Sequence, residues 1–178
     1  MKSMVEYVHE RLSSYGQCKI GIDMTMGNGN DTLALCYICE EVYSFDVQQA
    51  AIDATYKKVQ DYNHVHLILD NHQNVDSYVQ ECDIAVFNLG YLPQFSHEIT
   101  TILESTQCAL KKIIKMMNKA VFIVVYPGHS EGYRESLWID EFVSTLNSKH
   151  FNVSQYRMLN KNKAPYVIEI EKRRGCNA

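Results

Sequence analysis

The chain has 178 residues, 46% of them apolar and 21% charged, with eight glycines and three prolines, which excludes a disordered or fibrous protein and suits one folded domain over residues 1–178. Seventeen Lys and Arg against 21 Asp and Glu leave a net charge of −4, an argument against a broad nucleic-acid clamp and against DNA as a partner, because such surfaces need surplus cationic groups. The strongly apolar run Ala120–Tyr126 falls far short of the roughly 20 residues of a membrane-spanning helix, and Met1–Tyr15 carries Glu6, Glu10 and Arg11 where a signal peptide would be apolar, so a cytoplasmic protein with no membrane role is expected.

In chain order, helical spacing over Ser3–Tyr15 precedes a β-rich run at Lys19–Met24. Helical segments at Thr32–Cys39, Gln48–Asp61, Val75–Cys82, Glu98–Asn118 and Tyr133–His150 then alternate with β-rich runs at Val42–Phe45, Val65–Leu69, Ile84–Asn88, Ala120–Tyr126 and Asn152–Met158. Within Tyr133–His150 an apolar stripe of Trp138, Phe142 and Leu146 marks a core-facing helix. Strands separated by helices predict parallel β-α-β units with helices on both faces of the sheet. The final run, Tyr166–Glu171, follows Asn152–Met158 after only Leu159–Pro165, too short for a helical crossover, so these two strands should pair antiparallel. An α/β sheet of about seven strands, mostly parallel and closed by a C-terminal hairpin, is the predicted architecture. It resembles the Rossmann-like sheet of class I methyltransferases.

Six cysteines show no framework spacing. Cys36 and Cys39 form a C-x-x-C inside a helical pattern without a second ligand pair, so free thiols and no metal are expected. Lysines at 111, 112, 115 and 119, and the Lys172-Arg173-Arg174 run, read as solvated faces.

The residues with chemical content gather at predicted strand ends, where open α/β sheets bind ligands. After the first strand comes Thr25-Met26-Gly27-Asn28-Gly29-Asn30-Asp31-Thr32. Gly27 and Gly29 permit positive φ and close approach of a ligand, and Asn30 or Asp31 can cap the following helix. Asp23 and Asp31 flank this turn, a pattern suited to a ligand with an ammonium or sulfonium group rather than a pyrophosphate. Asp46, at the tip of the second strand, is placed to accept from ribose hydroxyls. Asp70-Asn71-His72-Gln73, after the third strand, offers polar tips for an adenine edge. The fourth strand ends in Asn88-Leu89-Gly90-Tyr91-Leu92-Pro93: a carboxamide, a glycine, an aromatic ring and a stiffening proline. There the Asn88 Oδ1 and the Leu89 carbonyl can hold an amine with its lone pair aimed at a methyl donor. His129, in Tyr126-Pro127-Gly128-His129, is a candidate acceptor of the amine proton, with water or an orienting role as the alternatives.

Taken together, Gly27–Thr32, Phe45–Gln48, Asn88–Pro93, Ile99–Thr101 and Tyr126–His129 resemble the tRNA 5-aminomethyl-2-thiouridine methyltransferases, a family formerly labelled rRNA methylases. The resemblance runs from Asp23 to Lys172. It implies S-adenosylmethionine as methyl donor, with S-adenosylhomocysteine as product, and the aminomethyl nitrogen of a wobble uridine as acceptor. It further implies cofactor contacts from Asp23, Gly27, Asn28, Gly29, Asn30, Asp31, Thr32, Asp46, Val47, Gln48, His72, Asn88, Leu89 and Gly90. Chemistry would fall to Asn88, Tyr91 and His129, and substrate contacts to Tyr91, Leu92, Pro93, Thr100 and His129. The chain departs from the family pattern at Gln94-Phe95-Ser96-His97-Glu98, where a Gly-Gly-Asp-Lys-like segment is usual. The expected partner is a tRNA anticodon stem-loop gripped at one extruded nucleotide, with a homodimer as a way to complete the RNA surface. A methyltransferase of rRNA or of a small amine, and a non-catalytic nucleotide-binding protein, are the competing readings.

Overall fold

The computed structural model describes residues 2–90 and 103–175. Its elements are α1 (Met4–Ser14), β1 (Cys18–Asp23), α2 (Asn30–Cys36), β2 (Cys39–Asp46), α3 (Gln49–Val59), β3 (Val65–Leu69), a 3-10 helix (His72–Ser77), β4 (Cys82–Asn88), α4 (Leu103–Met116), β5 (Met117–Val125), α5 (Ser130–Ser144), β6 (Phe151–Arg157) and β7 (Tyr166–Lys172). The strands make one seven-stranded sheet in the order β3-β2-β1-β4-β5-β7-β6. β1 to β5 pair in parallel, and β7 runs antiparallel between β5 and β6. The predicted closing hairpin is therefore present, and it inserts its second strand next to β5.

Both faces of this sheet are buried, as parallel sheets require. Side chains alternate along each strand. Ala85 and Phe87 of β4, with Val121 and Ile123 of β5, pack on one face with Leu110 and Ile113 of α4 and Ile139 of α5. Ile84 and Val86, with Phe122 and Val124, pack on the other face with Val8 and Leu12 of α1 and Leu35 of α2. The apolar runs that read as continuous in the sequence are continuous because neither face meets water.

α1 starts at a capping box: the Ser3 hydroxyl accepts from the Glu6 N–H while the Glu6 carboxylate accepts from the Ser3 N–H. It is tied to the sheet face it covers through Glu169 of β7. That buried carboxylate takes two hydrogen bonds from the Arg11 guanidinium, at 2.9 and 2.7 Å, and one from the Tyr15 hydroxyl at 2.7 Å. A bidentate pair of this kind fixes orientation as well as distance, so α1 cannot slide along the sheet.

Several expected boundaries move. α2 runs from Asn30 to Cys36, not from Thr32 to Cys39, because Cys39 opens β2; the C-x-x-C thus spans a helix end and a strand start. Val75–Cys82 is not a helix. The crossover there is a 3-10 helix that begins at His72, where the Asn71 side chain accepts from the Gln73 N–H, and Cys82 already belongs to β4. Asn118 lies in β5, not in the preceding helix. α5 begins at Ser130 and stops at Ser144, and its most buried line is Gly132, Glu135, Ser136, Ile139 and Val143; Trp138 and Phe142 flank it, stacked at 4.9 Å. Leu146 packs beyond the helix end.

The basic clusters are mostly spent on structure. Lys112 binds Asp76 and the Gln73 carbonyl, Lys119 the Gln17 carbonyl, Lys172 the Met117 carbonyl and Arg173 the Ser148 carbonyl. Lys111 sits over the Trp138 ring. Among the described residues no helix is long and apolar enough to cross a membrane.

Candidate active site

β1 has β2 on one side and β4 on the other, so the chain reverses its direction of travel across the sheet between β1 and β4. Crevices form at such switch points. Here a cavity of about 940 Å³ opens at the carboxyl ends of β1, β2, β4 and β5, within the size range of cofactor and substrate sites.

Its floor is the β1–α2 turn. Gly27 and Gly29 both have positive φ, 47° and 74°. Gly29 is itself the N-cap of α2 and makes no side-chain cap, so Asn30 and Asp31 occupy the first turn instead of capping it as expected. A Cβ at Gly29 would meet Thr55 at 2.7 Å, which is why the turn can lie flat against α3. Asp46 closes the turn from β2: its Oδ2 accepts the Gly27 N–H and its Oδ1 the Gln48 N–H, each at 3.0 Å. Burial pushes the Asp46 carboxyl up from the usual aspartate range against those backbone donors. Each oxygen retains a second lone pair for a hydroxyl in the cavity.

Behind the turn, Asp23 is fully buried. It accepts from the Thr25 N–H at 3.1 Å and the Thr32 hydroxyl at 2.6 Å. Burial first, and the neighbouring Asp31 second, push its carboxyl up to about 7. The Thr25 hydroxyl in turn accepts the Asn88 N–H at 2.7 Å. Asp31, itself buried, receives the Asn88 Nδ2 on one oxygen at 3.0 Å and His9 Nε2 on the other at 2.7 Å.

On the β3 side, His72 is buried and its Nδ1 meets the Met24 carbonyl at 2.9 Å. A carbonyl only accepts, so Nδ1 carries the proton. Burial pushes the imidazole below its ordinary range, and Nε2 presents a bare lone pair with no partner among the described residues. On the β5 side, His129 caps α5, its Nδ1 accepting the Gly132 N–H at 3.1 Å. That engages the Nδ1 lone pair at the start of α5, the geometry of the orienting alternative. Gly132 is tight for the same reason: a Cβ there would stand 2.1 Å from the Tyr126 carbonyl.

Of the expected residues, Gly27, Asn28, Asn30, Asp31, Asp46, Val47, Gln48, His72, Asn88, Leu89, Gly90 and His129 line the cavity. Asp23, Gly29 and Thr32 do not; they stand behind it and brace the turn. Tyr91, Leu92, Pro93 and Thr100, with the Gln94–Glu98 departure, lie outside the described residues. Thr25, Tyr126, Glu135 and Lys163 also line the cavity and were not anticipated. Glu135 is buried, bound to the Thr106 hydroxyl at 2.8 Å, and pushed up to about 7 by burial. A signal for it exists: three residues after Gly132 and four before Ile139, it lies on the apolar stripe of α5. Among the described residues, no group of three or more His, Cys, Asp or Glu side chains is arranged to hold a metal ion.

These residues fit S-adenosylmethionine. The carboxylate at the end of β2 matches a ribose, His72 lines the same side of the cavity, and the glycine turn admits a ligand against backbone. A sheet with its seventh strand inserted antiparallel, bearing this cavity at its switch point, defines a class I S-adenosylmethionine-dependent methyltransferase.

The chain belongs to the family described as "Putative rRNA methylase", whose profile matches residues 42–171. It is similar to a "putative rRNA-methylase" of Clostridium thermocellum, with 34% identity, 97% of this chain and 99% of that one covered, and a TM-score of 0.90. A "putative methyltransferase" of Streptococcus mutans, solved in complex with S-adenosylhomocysteine, is 39% identical with the same coverage and a TM-score of 0.87. A chloroplastic tRNA (mnm(5)s(2)U34)-methyltransferase of Arabidopsis thaliana is 31% identical over an alignment of 171 positions that covers 85% of this chain; the chain spans 62% of that protein's length.

Replacing Asp46 by alanine is expected to weaken S-adenosylmethionine binding about tenfold or more, the equivalent of a lost charge-assisted hydrogen bond. Titration calorimetry measures this directly, and an unchanged affinity removes Asp46 from the cofactor site.

Proposed function

We propose that the protein transfers a methyl group from S-adenosylmethionine to the aminomethyl nitrogen of 5-aminomethyl-2-thiouridine at the tRNA wobble position, giving the 5-methylaminomethyl form. The observation that carries this reading is the Asn88 carboxamide at the cavity wall. Its Nδ2 is committed to Asp31, so its Oδ1 is the end left to accept from an amine. The activity for which the 31%-identical plant relative is named supports the same acceptor.

When bound, the cofactor supplies an electrophilic methyl group on sulfur. The chain's own work is positional. Once the ammonium form has released its proton to water, Asn88 Oδ1 takes one N–H of the neutral amine and turns its lone pair toward the methyl group, which is how orientation lowers a barrier without covalent help. Asp46 and the glycine turn hold the nucleoside half of the donor, and His129 fixes the start of α5 along the cavity rim. An anticodon stem-loop is the proposed partner. The net charge of −4, with most clustered lysines tied to carbonyls and carboxylates, supports a footprint of one extruded nucleotide rather than a long RNA groove, and leaves room for a second subunit to widen it.

The test is mass spectrometry of wobble nucleosides from cells with and without the protein. The aminomethyl form should accumulate in its absence. Unaltered wobble nucleosides, together with methyl transfer by the purified protein to rRNA or to a free amine, would overturn the assignment.

A further inference from the structure

We propose that His9 is a positioning residue for methyl transfer: through Asp31 it locks the Asn88 carboxamide in the one orientation that offers its oxygen to the acceptor amine. The proposal rests on the amine-holding reading of Asn88 given above.

An asparagine amide is two-faced. Its terminal torsion is broad and roughly two-fold, so exchange of oxygen and nitrogen is opposed only by what surrounds them. Here the surroundings decide. A carboxylate has no hydrogen to give, so the atom of Asn88 that lies 3.0 Å from Asp31 Oδ2 must be the nitrogen. The flipped amide would set oxygen against oxygen. The discrimination is only as good as the orientation of the carboxylate, and this is where α1 enters. His9 Nε2 meets Asp31 Oδ1 at 2.7 Å, so one carboxylate oxygen is held by the imidazole and the other is aimed at Asn88. Asp31 is buried, with a side-chain exposure of 6%, whereas His9 reaches it from a partly exposed position. Water competes weakly for such a bond on the carboxylate side.

The lever behind His9 is rigid. Two residues further along α1, Arg11 is clamped to Glu169 of β7, and Tyr15 binds the same carboxylate. Asn88 is also fixed at its main chain, through the Thr25 hydroxyl. Asn88 therefore hangs between two fixed points, one on the turn after β1 through Thr25 and one on α1 through Asp31 and His9. The arrangement gives α1 a catalytic consequence through a residue, His9, that does not itself line the cavity.

His9→Ala is expected to lower kcat about fivefold, the scale of one lost hydrogen bond, with KM for S-adenosylmethionine and the melting temperature unchanged. His9→Gln, whose Nε2 can donate to the same carboxylate oxygen, should restore kcat. In parallel, the Asn88 side-chain amide resonances of 15N-labelled protein should shift in His9→Ala and return in His9→Gln; this readout needs no RNA, so it stands even if the acceptor is not the wobble amine. Wild-type kcat in His9→Ala, or resonances indifferent to the substitution, would overturn the proposal. So would a fall in kcat that follows a fall in melting temperature and is not rescued by glutamine. Absence of wild-type activity on aminomethyl tRNA would instead overturn the substrate reading alone.

Discussion

Asn88→Ala is expected to lower methyl transfer at least tenfold, about 1.4 kcal/mol of barrier, while S-adenosylmethionine affinity stays within about twofold of wild type. The two halves of that expectation come from different parts of the cavity. The carboxamide is held by Asp31 and, on the proposed reading, accepts from the amine, so alanine removes the side-chain group that, among the described residues at the end of β4, is set to orient a nitrogen lone pair. The nucleoside half of the donor is expected to rest on Asp46, the Gly27 turn and His72, which hang on β1, β2 and the turn after β3 and do not hydrogen-bond to the Asn88 side chain. A single-turnover rate with saturating cofactor separates the two, because a loss confined to the chemical step survives saturation. Wild-type turnover by the variant would remove Asn88 from the reaction, and a parallel loss of cofactor affinity would make it a cofactor ligand instead.

The strands of this protein were legible because both faces of the sheet are covered, so each strand is a short apolar run bounded by polar turns. Where a strand carries charge the reading fails: β2 starts at Cys39, but Glu40 and Glu41 follow, exposed, and hide its first turn of alternation. The 3-10 crossover was misread because Val75 and Val79, both buried, stand at helical spacing, a spacing that says nothing about where the chain must re-enter the sheet. At the site, residues on strand tips were legible because topology alone puts them at one edge. Residues arriving from elsewhere were not. His9 meets Asp31 across 22 residues of sequence, and on its own helix it reads as one polar residue among several. Glu135 had only its spacing to Gly132 and Ile139 to mark it; its partner Thr106 comes from α4, 29 residues earlier. Asp31, read as a cap, is instead a bridge between α1 and β4, because a glycine took the capping position.

Glu135 also sets the second large effect, on stability. Burial raises its carboxyl from the ordinary 4.5 to about 7, outweighing the Thr106 hydroxyl that favours the charged form. The folded protein therefore keeps this proton up to about pH 7, whereas the unfolded chain releases it near 4.5. Stability contributed by the neutral acid is complete below pH 4.5 and is lost as pH rises through 7. The full loss is roughly 3 kcal/mol, from 1.36 kcal/mol per unit. Buried Asp23, raised by burial and by Asp31, acts with the same sign. Buried His72 acts with the opposite one: its lowered pKa costs stability as pH falls below the ordinary imidazole range. The total profile is thus blunted, and the informative quantity is the difference between wild type and Glu135→Gln, in which Asp23 and His72 cancel to first order. Urea unfolding at pH 5 and pH 8 should show that difference moving toward the glutamine variant by about 2 kcal/mol, leaving the variant the more stable protein at pH 8. A difference that stays constant between the two pH values would mean that Glu135 ionises in the fold as it does in the open chain, and that the cavity wall beside α5 carries a full negative charge at neutral pH.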